Sequence, residues 1–350
     1  MVYGIQFLIS AAAVFGVIKI SRALSLYDIQ DGRRMHKGKI PRLGGLGIFL
    51  GFAAGVVICL LSGTGSALRS DSRFWLLLAA AVIVFATGFV DDLKPVPARY
   101  KLVIQLAAAL LVCAAGFRFD RISFAPLNFS LDFGIFSWPL TVLWIAGLIN
   151  VINMFDGLDG LAGTTSVIAL LVYTVFFYRA DFADGFLLCS LLIVPVTAFL
   201  LFNLPFPKAR IFMGDSGSNF LGFMLAVLPL VRETPVSPAV VPVWYAATVL
   251  VFPVCDFIAA VWRRLREHRS IMSPDFSHLH HKLVAMGFSQ RQTLLLLVVL
   301  QSAVAALVLT SLLSGGTAAL TILLAIWLIA ILFFTVIHIN KNLHFRGSDS

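Results

Sequence analysis

The sequence predicts an all-α integral membrane protein that crosses the bilayer about eleven times, and three observations carry that expectation. The 350 residues have a mean hydropathy of +0.97, with 60% apolar and only 12% charged residues, whereas soluble domains hold about a quarter charged residues. The apolar residues gather into runs close to the roughly 20 residues that a spanning helix needs. The polar stretches between them are too short for a separate soluble domain, so residues 1–350 form one transmembrane unit. A soluble enzyme, a disordered tail and a fibrous protein are excluded.

The expected spans lie at about 3–22, 45–62, 74–90, 102–117, 135–152, 160–178, 186–202, 217–231, 239–262, 293–313 and 317–338. The first has no Lys or Arg before Lys19, so it lacks the positive start of a cleaved signal peptide and reads as a retained helix with its amino end outside. The runs 102–117 and 217–231 are short between charges. Pro195 and Pro253, inside spans, mark kinks. No Asp, Glu, Lys or Arg occurs between Arg291 and Lys341, and Ser314-Gly315-Gly316 supplies the break that lets two helices fold back.

Eleven spans sort the loops onto two sides. The set 19–42, 91–101, 153–159, 203–216, 256–292 and the tail holds 20 Lys+Arg against 11 Asp+Glu; the other holds 6 of each. The positive-inside rule makes the first set cytoplasmic, together with the carboxyl end. The net charge of +9 therefore reflects sided loops, not nucleic-acid binding. Cys59, Cys113, Cys189 and Cys255 all lie in apolar runs without paired spacing, which excludes a disulfide framework and a CxxC zinc or redox site.

The chemistry-bearing clusters fall on the basic side, in the loops at about 23–44, 91–101, 153–159, 203–216 and 263–292. Asp91-Asp92 is either a solvated helix end or a pair for a hard cation, since Mg²⁺ is typically held by one or two carboxylates plus phosphate oxygens. Lys94, Arg99 and Lys101 nearby either neutralise the pair or hold phosphates. The run Asn150-x-x-Asn153-x-x-Asp156-Gly-x-Asp159-Gly is more specific: it puts two amides and two carboxylates in a tight turn, without the ligand order of an EF-hand. Gly214-Asp215-Ser216-Gly217-Ser218 resembles a glycine loop opening a helix, where free N–H groups favour anions, but it lacks the lysine of a P-loop. Ser216 or Ser218 could equally be a plain N-cap. His278-Leu-His280-His281 is expected to contact phosphate or sugar, because adjacent histidines cannot both face one metal ion from one helix face.

These residues together carry a resemblance. Asp91-Asp92, the Asn153/Asp156-Gly-Leu-Asp159-Gly loop, Phe212-Met-Gly-Asp215-Ser-Gly-Ser and Ser273-Pro-Asp-Phe-Ser-His278-Leu-His280-His281 look like the polyprenyl-phosphate N-acetylhexosamine-1-phosphate transferase family, in matching order over about residues 33–292. The Ser-Pro-Asp preceding His-Leu-His-His is similar to the bacterial branch that initiates O-antigen, common-antigen and teichoic acid linkage units. So is Met35-His36-Lys-Gly-Lys-Ile40-Pro41-Arg-Leu-Gly44-Gly45. The resemblance implies transfer of a sugar 1-phosphate, such as that of GlcNAc, from a UDP-sugar to undecaprenyl phosphate, with release of UMP. It further implies Mg²⁺ or Mn²⁺, the bacterial cytoplasmic (inner) membrane, and room for a homodimer.

Roles follow from the same resemblance. Asp91, Asp92, Asp156 and Asp159 match the catalytic carboxylates. Asp215 matches the principal metal ligand, with Asn153, Asp91 and Asp92 beside it. Lys101, Asn150, Asn153, Asp159, Phe212, Arg264, His278, His280 and His281 match substrate contacts, with Phe212 and Asp159 at the uracil and Lys101 at the diphosphate. A secondary transporter is the alternative reading; it would place its ionisable groups near the midplane in repeated broken helices, and no repeat is visible here. A CDP-alcohol phosphotransferase would need an Asp-Gly-x-x-Ala-Arg run, which is missing.

Overall fold

All eleven expected segments are helical. The computed structural model describes residues 2–24, 40–65, 70–124, 129–206, 208–232, 240–273, 275 and 277–347, so the Met35 to Lys39 part of the first basic loop lies outside the described residues. In chain order the helices are α1 (Val2–Ala23), α2 (Gly44–Ser62), α3 (Ser72–Leu93), α4 (Ala98–Ala114), α5 (Ser137–Phe155), α6 (Leu161–Arg179), α7 (Ala183–Asn203), α8 (Gly214–Val227), α9 (Val243–Val249), α10 (Val251–Arg266), α11 (Leu279–Ala285), α12 (Gln290–Ser314) and α13 (Gly316–Gly347). Among the described residues, eight helices are long and apolar enough to cross a membrane, and α9 with α10 forms a further pair bent by 82°. The two segments that read as short from the sequence are indeed short: α4 has 17 residues and α8 has 14. Pro253 sits in the first turn of α10, beside the bend, where a proline costs no helical hydrogen bond. The break expected at 314–316 is present, with Gly315 and Gly316 both at positive φ.

One stretch departs from the all-α expectation. In the loop after α4, β1 (Arg121–Phe124) and β2 (Phe129–Asp132) pair antiparallel, with Arg121 opposite Asp132 and Phe124 opposite Phe129. Four-residue strands are too short to stand out as an alternating pattern.

Local sequence explains the packing. On α2 the glycines Gly47, Gly51 and Gly55 face Val14, Ser10 and Gln6 of α1, where a Cβ would collide; small residues let membrane helices approach closely. The Gln6 amide then donates to Gly51 O (3.1 Å) and Leu191 O (2.8 Å), joining α1, α2 and α7. Helix α8 is the axis of the bundle. Every residue from Ser216 to Val227 is buried, and α3, α5 and α2 pack around it. The rings of Phe49, Phe85 and Phe220 meet where α2, α3 and α8 cross. A short helix buried on all sides fixes its first turn rigidly, and that turn carries Asp215.

Candidate active site

The amino end of α8 is held by backbone. Gly44 N–H donates to Phe212 O (2.9 Å), Gly45 N–H to Met213 O (2.7 Å) and Phe212 N–H to Pro41 O (2.8 Å), so Pro41–Gly45 and Phe212–Met213 run as a short ladder. Gly214 lies at φ +75°, a region that favours glycine. Any Cβ at Gly45 would strike the Gly217 backbone, and one at Gly88 of α3 would come within 2.5 Å of Asp215 O. The free N–H groups of the first turn are satisfied from α3. Asp92 accepts from Asp215 N–H (2.8 Å), Ser216 N–H (3.0 Å) and the Ser216 hydroxyl (2.6 Å). A carboxylate is favoured there by the helix dipole as well as by the hydrogen bonds.

The rest of the cluster is ionic. Lys101 Nζ lies 3.1 Å from Asp91 Oδ2 and 2.9 Å from Asp215 Oδ2. Arg42 reaches Asp92 at 3.3 Å and Asp215 at 3.6 Å. Asp91 also accepts from Val96 N–H (2.7 Å), which turns the chain from α3 into α4. Among the described residues, three carboxylates meet two cations here. Among the described residues no three His, Cys, Asp or Glu side chains form a ready metal cage. The hard oxygens of Asp91 and Asp215 nonetheless converge on a single cation, the Lys101 ammonium.

Beside this cluster opens a cavity of about 970 Å³. Its polar wall carries Arg42, Lys101, Phe212 and Asp215, together with Asn150, Asn153, Asp156 and Asp159 from the end of α5 and the following turn. The Asn153 amide donates to Ser218 Oγ (2.9 Å), and that of Asn150 to Gln105 Oε1 (2.8 Å). Asn203 ties the turn to the segment before α8: its Oδ1 accepts from Gly160 N–H and its amide donates to Ile211 O, each at 2.8 Å. A second wall is apolar, with Leu102 and Leu106 of α4 facing Leu143 and Ala146 of α5.

The third wall runs from the end of α10 through the segment before α12, where Arg264, His278 and His281 line the cavity. Arg263 pairs with Asp275 at 2.5 Å, Asp275 also accepts from Ser277 N–H (2.9 Å), and Arg264 donates to Ile271 O (2.7 Å). Burial disfavours the charged form of Asp275, but the Arg263 hydrogen bond and the Ser277 N–H outweigh it, so its carboxyl titrates below the usual range. His280 lies beneath this wall, its ring 4.2 Å from that of His281. It is 1% exposed, packed on Gly157, and held well below ordinary histidine basicity by burial and then by His281 and His278.

The sequence matches Glycosyl transferase family 4 over residues 74–232. It is 32% identical over 300 residues to the "Probable undecaprenyl-phosphate N-acetylglucosaminyl 1-phosphate transferase" of Bacillus subtilis (strain 168), covering 84% of this chain and 80% of the relative. The chain belongs to the polyprenyl-phosphate N-acetylhexosamine-1-phosphate transferase family. The "Undecaprenyl-phosphate alpha-N-acetylglucosaminyl 1-phosphate transferase" of Yersinia pestis is 28% identical over 299 residues, covering 83% of this chain and 78% of the relative. That of Salmonella typhi is 28% identical over 330 residues, covering 93% and 86%. Such relatives do not favour the transporter alternative.

Within this transferase family the geometry sorts the expected site residues. Asp91, Lys101, Asn150, Asn153, Asp156, Asp159, Phe212, Asp215, Arg264, His278 and His281 gather at or directly beside the cavity. Asp92 does not line the cavity: its side chain is 0% exposed and its oxygens accept from the α8 amino end. His280 does not line the cavity either: it lies buried against Gly157, its ring 4.2 Å from that of His281, which does. Neither Ser216 nor Ser218 caps α8; Ser218 Oγ bonds back to Gly214 O inside the helix.

Arg42, Asn203, Asp256 and Asp275 were not singled out from the sequence. Asp256 had a legible signal, since it is the sole ionisable residue in the 239–262 run, and ionisable residues in membrane segments are expensive and usually functional. Arg42 had a weaker one, standing two residues before the Gly44-Gly45 pair. Asp275 stood inside the Ser-Pro-Asp run without a role of its own, and Asn203 had no signal, because its partners are set by how the chain folds back.

Proposed function

We propose that this protein transfers the 1-phosphate of an N-acetylhexosamine such as GlcNAc from a UDP-sugar to undecaprenyl phosphate, giving undecaprenyl-diphospho-sugar and UMP. One observation carries the reading: a single cavity joins a carboxylate–lysine cluster, able to handle a diphosphate, to an apolar wall between α4 and α5. A soluble nucleotide sugar and a lipid phosphate need such a pair of surfaces side by side. The names of the curated relatives support the same acceptor.

In this reaction an oxygen of the lipid phosphate attacks the sugar-bearing phosphorus, and the bond from that phosphorus to the bridging oxygen breaks as UMP leaves. Phosphoryl transfer depends mainly on positioning and charge neutralisation. Lys101 and Arg42 supply positive charge beside the reacting phosphates, and Leu102, Leu106 and Leu143 hold the first isoprene units in line. Phe212 and Asp159 hold the uracil, one by stacking and the other by hydrogen bonding, while Arg264, His278 and His281 face the diphosphate and sugar. The acceptor phosphate is already largely ionised at neutral pH, so no strong base is required. Asp215, Asn153 and Asp91 are hard oxygen donors from three helices and suit Mg²⁺ or Mn²⁺, whose remaining ligands would be phosphate oxygens. When bound, such an ion neutralises charge on the diphosphate. The opposing carboxylates bridged by Lys101 support this fit, since the pair already draws a cation between them.

The orientation belongs to the same proposal: eleven crossings of the bacterial inner membrane, the amino end outside, and the active site with the carboxyl end in the cytoplasm. A cysteine at Ser130 should react with an impermeant reagent in intact cells and one at Ser270 should not; the reverse labelling would invert the orientation. The activity itself is tested by incubating the purified protein with undecaprenyl phosphate, Mg²⁺ and a panel of UDP-sugars. Lipid-linked sugar and UMP in equal amounts are the expected result. No lipid product from any UDP-sugar would overturn the proposal.

A further inference from the structure

Helix α10 carries one acidic side chain, Asp256, 2% exposed. Its Oδ1 accepts from Leu279 N–H (2.8 Å), at the start of α11, and its Oδ2 lies 2.9 Å from His278 Nδ1. Both side chains of the pair are nearly enclosed, at 7% exposure for His278 and 3% for Asp256. A carboxylate can only accept, so Nδ1 carries the proton, and Nε2 is the imidazole nitrogen left for a ligand in the cavity that His278 lines.

Capping α11 alone does not account for a carboxylate here. A neutral Asn or Ser caps a helix about as well, and burying a charge among the apolar residues of α10 is costly unless it is used. The oxygen not engaged by the helix is the one aimed at the imidazole. His280, next but one along the chain, has no such partner among the described residues: neither ring nitrogen makes a hydrogen bond to them, although its ring lies parallel to that of His278 at 5.9 Å. Of these two parallel rings, the one held by a carboxylate is the one that faces the cavity.

We propose that Asp256 is the positioning residue of the donor site, holding His278 by its Nδ1–H so that Nε2 is presented to the diphosphate of the nucleotide sugar. This inference rests on the transfer reading of the cavity. The surrounding charges suit the arrangement: Arg264 lines the same wall, while Asp275 is already bound by Arg263 and does not compete for the imidazole. Asp256 itself does not line the cavity, so it acts through the histidine.

A double-mutant cycle tests the pairing. Asp256→Asn keeps shape and one acceptor but loses the carboxylate, and should lower kcat/KM for the UDP-sugar by about 10- to 100-fold, the range seen when an orienting partner of a functional histidine is lost. The KM for undecaprenyl phosphate should move less than about twofold. His278→Gln should do the same, and the double variant should fall little below the weaker single variant. Losses that multiply, or that affect both substrates equally, would overturn the proposal and leave Asp256 as a cap of α11. Should Asp256→Asn fail to fold, ¹⁵N-histidine NMR of the unaltered protein, with His278 assigned by its loss in His278→Gln, reads the proton directly. Protonated Nδ1 is expected; a bare Nδ1 would overturn the pairing. The NMR result needs no turnover, so an unaltered protein without transfer activity would fail the functional reading and leave this pairing separately decided.

Discussion

The two sides of the cavity are built by different means. The side at α8 is made of backbone: glycines 44, 45, 88, 214 and 217 let Pro41–Gly45, α3 and α8 touch directly, and Asp92 closes the helix end. The side at α10 and α11 is made of side chains, with Asp256 reaching Leu279, Arg263 reaching Asp275 and Arg264 reaching Ile271 to tie the loop back onto α10. Backbone contact leaves almost no freedom, which suits groups that must meet a phosphorus atom within a few tenths of an ångström. Side-chain tethers keep a shape while letting residues be exchanged, which suits a wall that distinguishes one sugar from another.

The largest effect should come from the charge at the centre of the rigid side. Asp215→Asn preserves shape but removes the carboxylate shared by Lys101 and Arg42, and turnover should drop by about a thousandfold or more if that charge organises the transferring phosphate and its cation. Near-normal thermal stability in detergent, with partial rescue at high Mg²⁺, completes the expected result. Retention of most activity at ordinary Mg²⁺ would move the cation elsewhere.

Glycine substitutions test the contrast itself. Gly45→Ala drives a methyl into the Gly217 backbone and should destabilise the protein by about 2–3 kcal/mol, the upper end for overpacking. Gly157→Ala meets the His280 ring first, a side chain, and should cost less, about 1 kcal/mol, the lower end for overpacking. Thermal unfolding measures both; equal losses would mean that the histidine wall is as unyielding as the glycine one.

Phe212 sits on the boundary, its backbone in the ladder and its ring at the cavity. Phe212→Ala should raise KM for the UDP-sugar about five- to tenfold, as expected for an aromatic contact worth on the order of 1 kcal/mol. Steady-state kinetics with each substrate varied in turn decides the point, since a matching rise for the lipid would make the ring ordinary packing.

The mildest perturbation is acid on the tethered side. The Asp275 carboxyl is depressed in the folded protein, so its contribution is complete above its unfolded pKa and is lost as pH falls through the lower folded value. Hydrogen exchange at the Ser277 N–H, which Asp275 accepts, should therefore stay slow into the ordinary carboxylate range and quicken below it. Arg263→Gln should bring that loosening to a higher pH.

Much of this was legible before any coordinates. The spans follow from runs of apolar residues, because a bilayer demands them whatever the partners are. Asp91, Asn153, Asp156, Asp159 and Asp215 stand out because polar groups at helix ends need a reason to be there, while Lys101 and Phe212 enter through the family resemblance. Tertiary structure alone decided how those groups divide their work. Asp91 and Asp92 are adjacent, yet neighbouring positions on a helix point in different directions, so one meets Lys101 and the other the end of α8, 123 residues away. The partnership of Asp256 with His278 and the staple made by Asn203 depend on where the chain returns, and a hydrogen bond between distant residues leaves no periodic trace in the sequence for a reader to find.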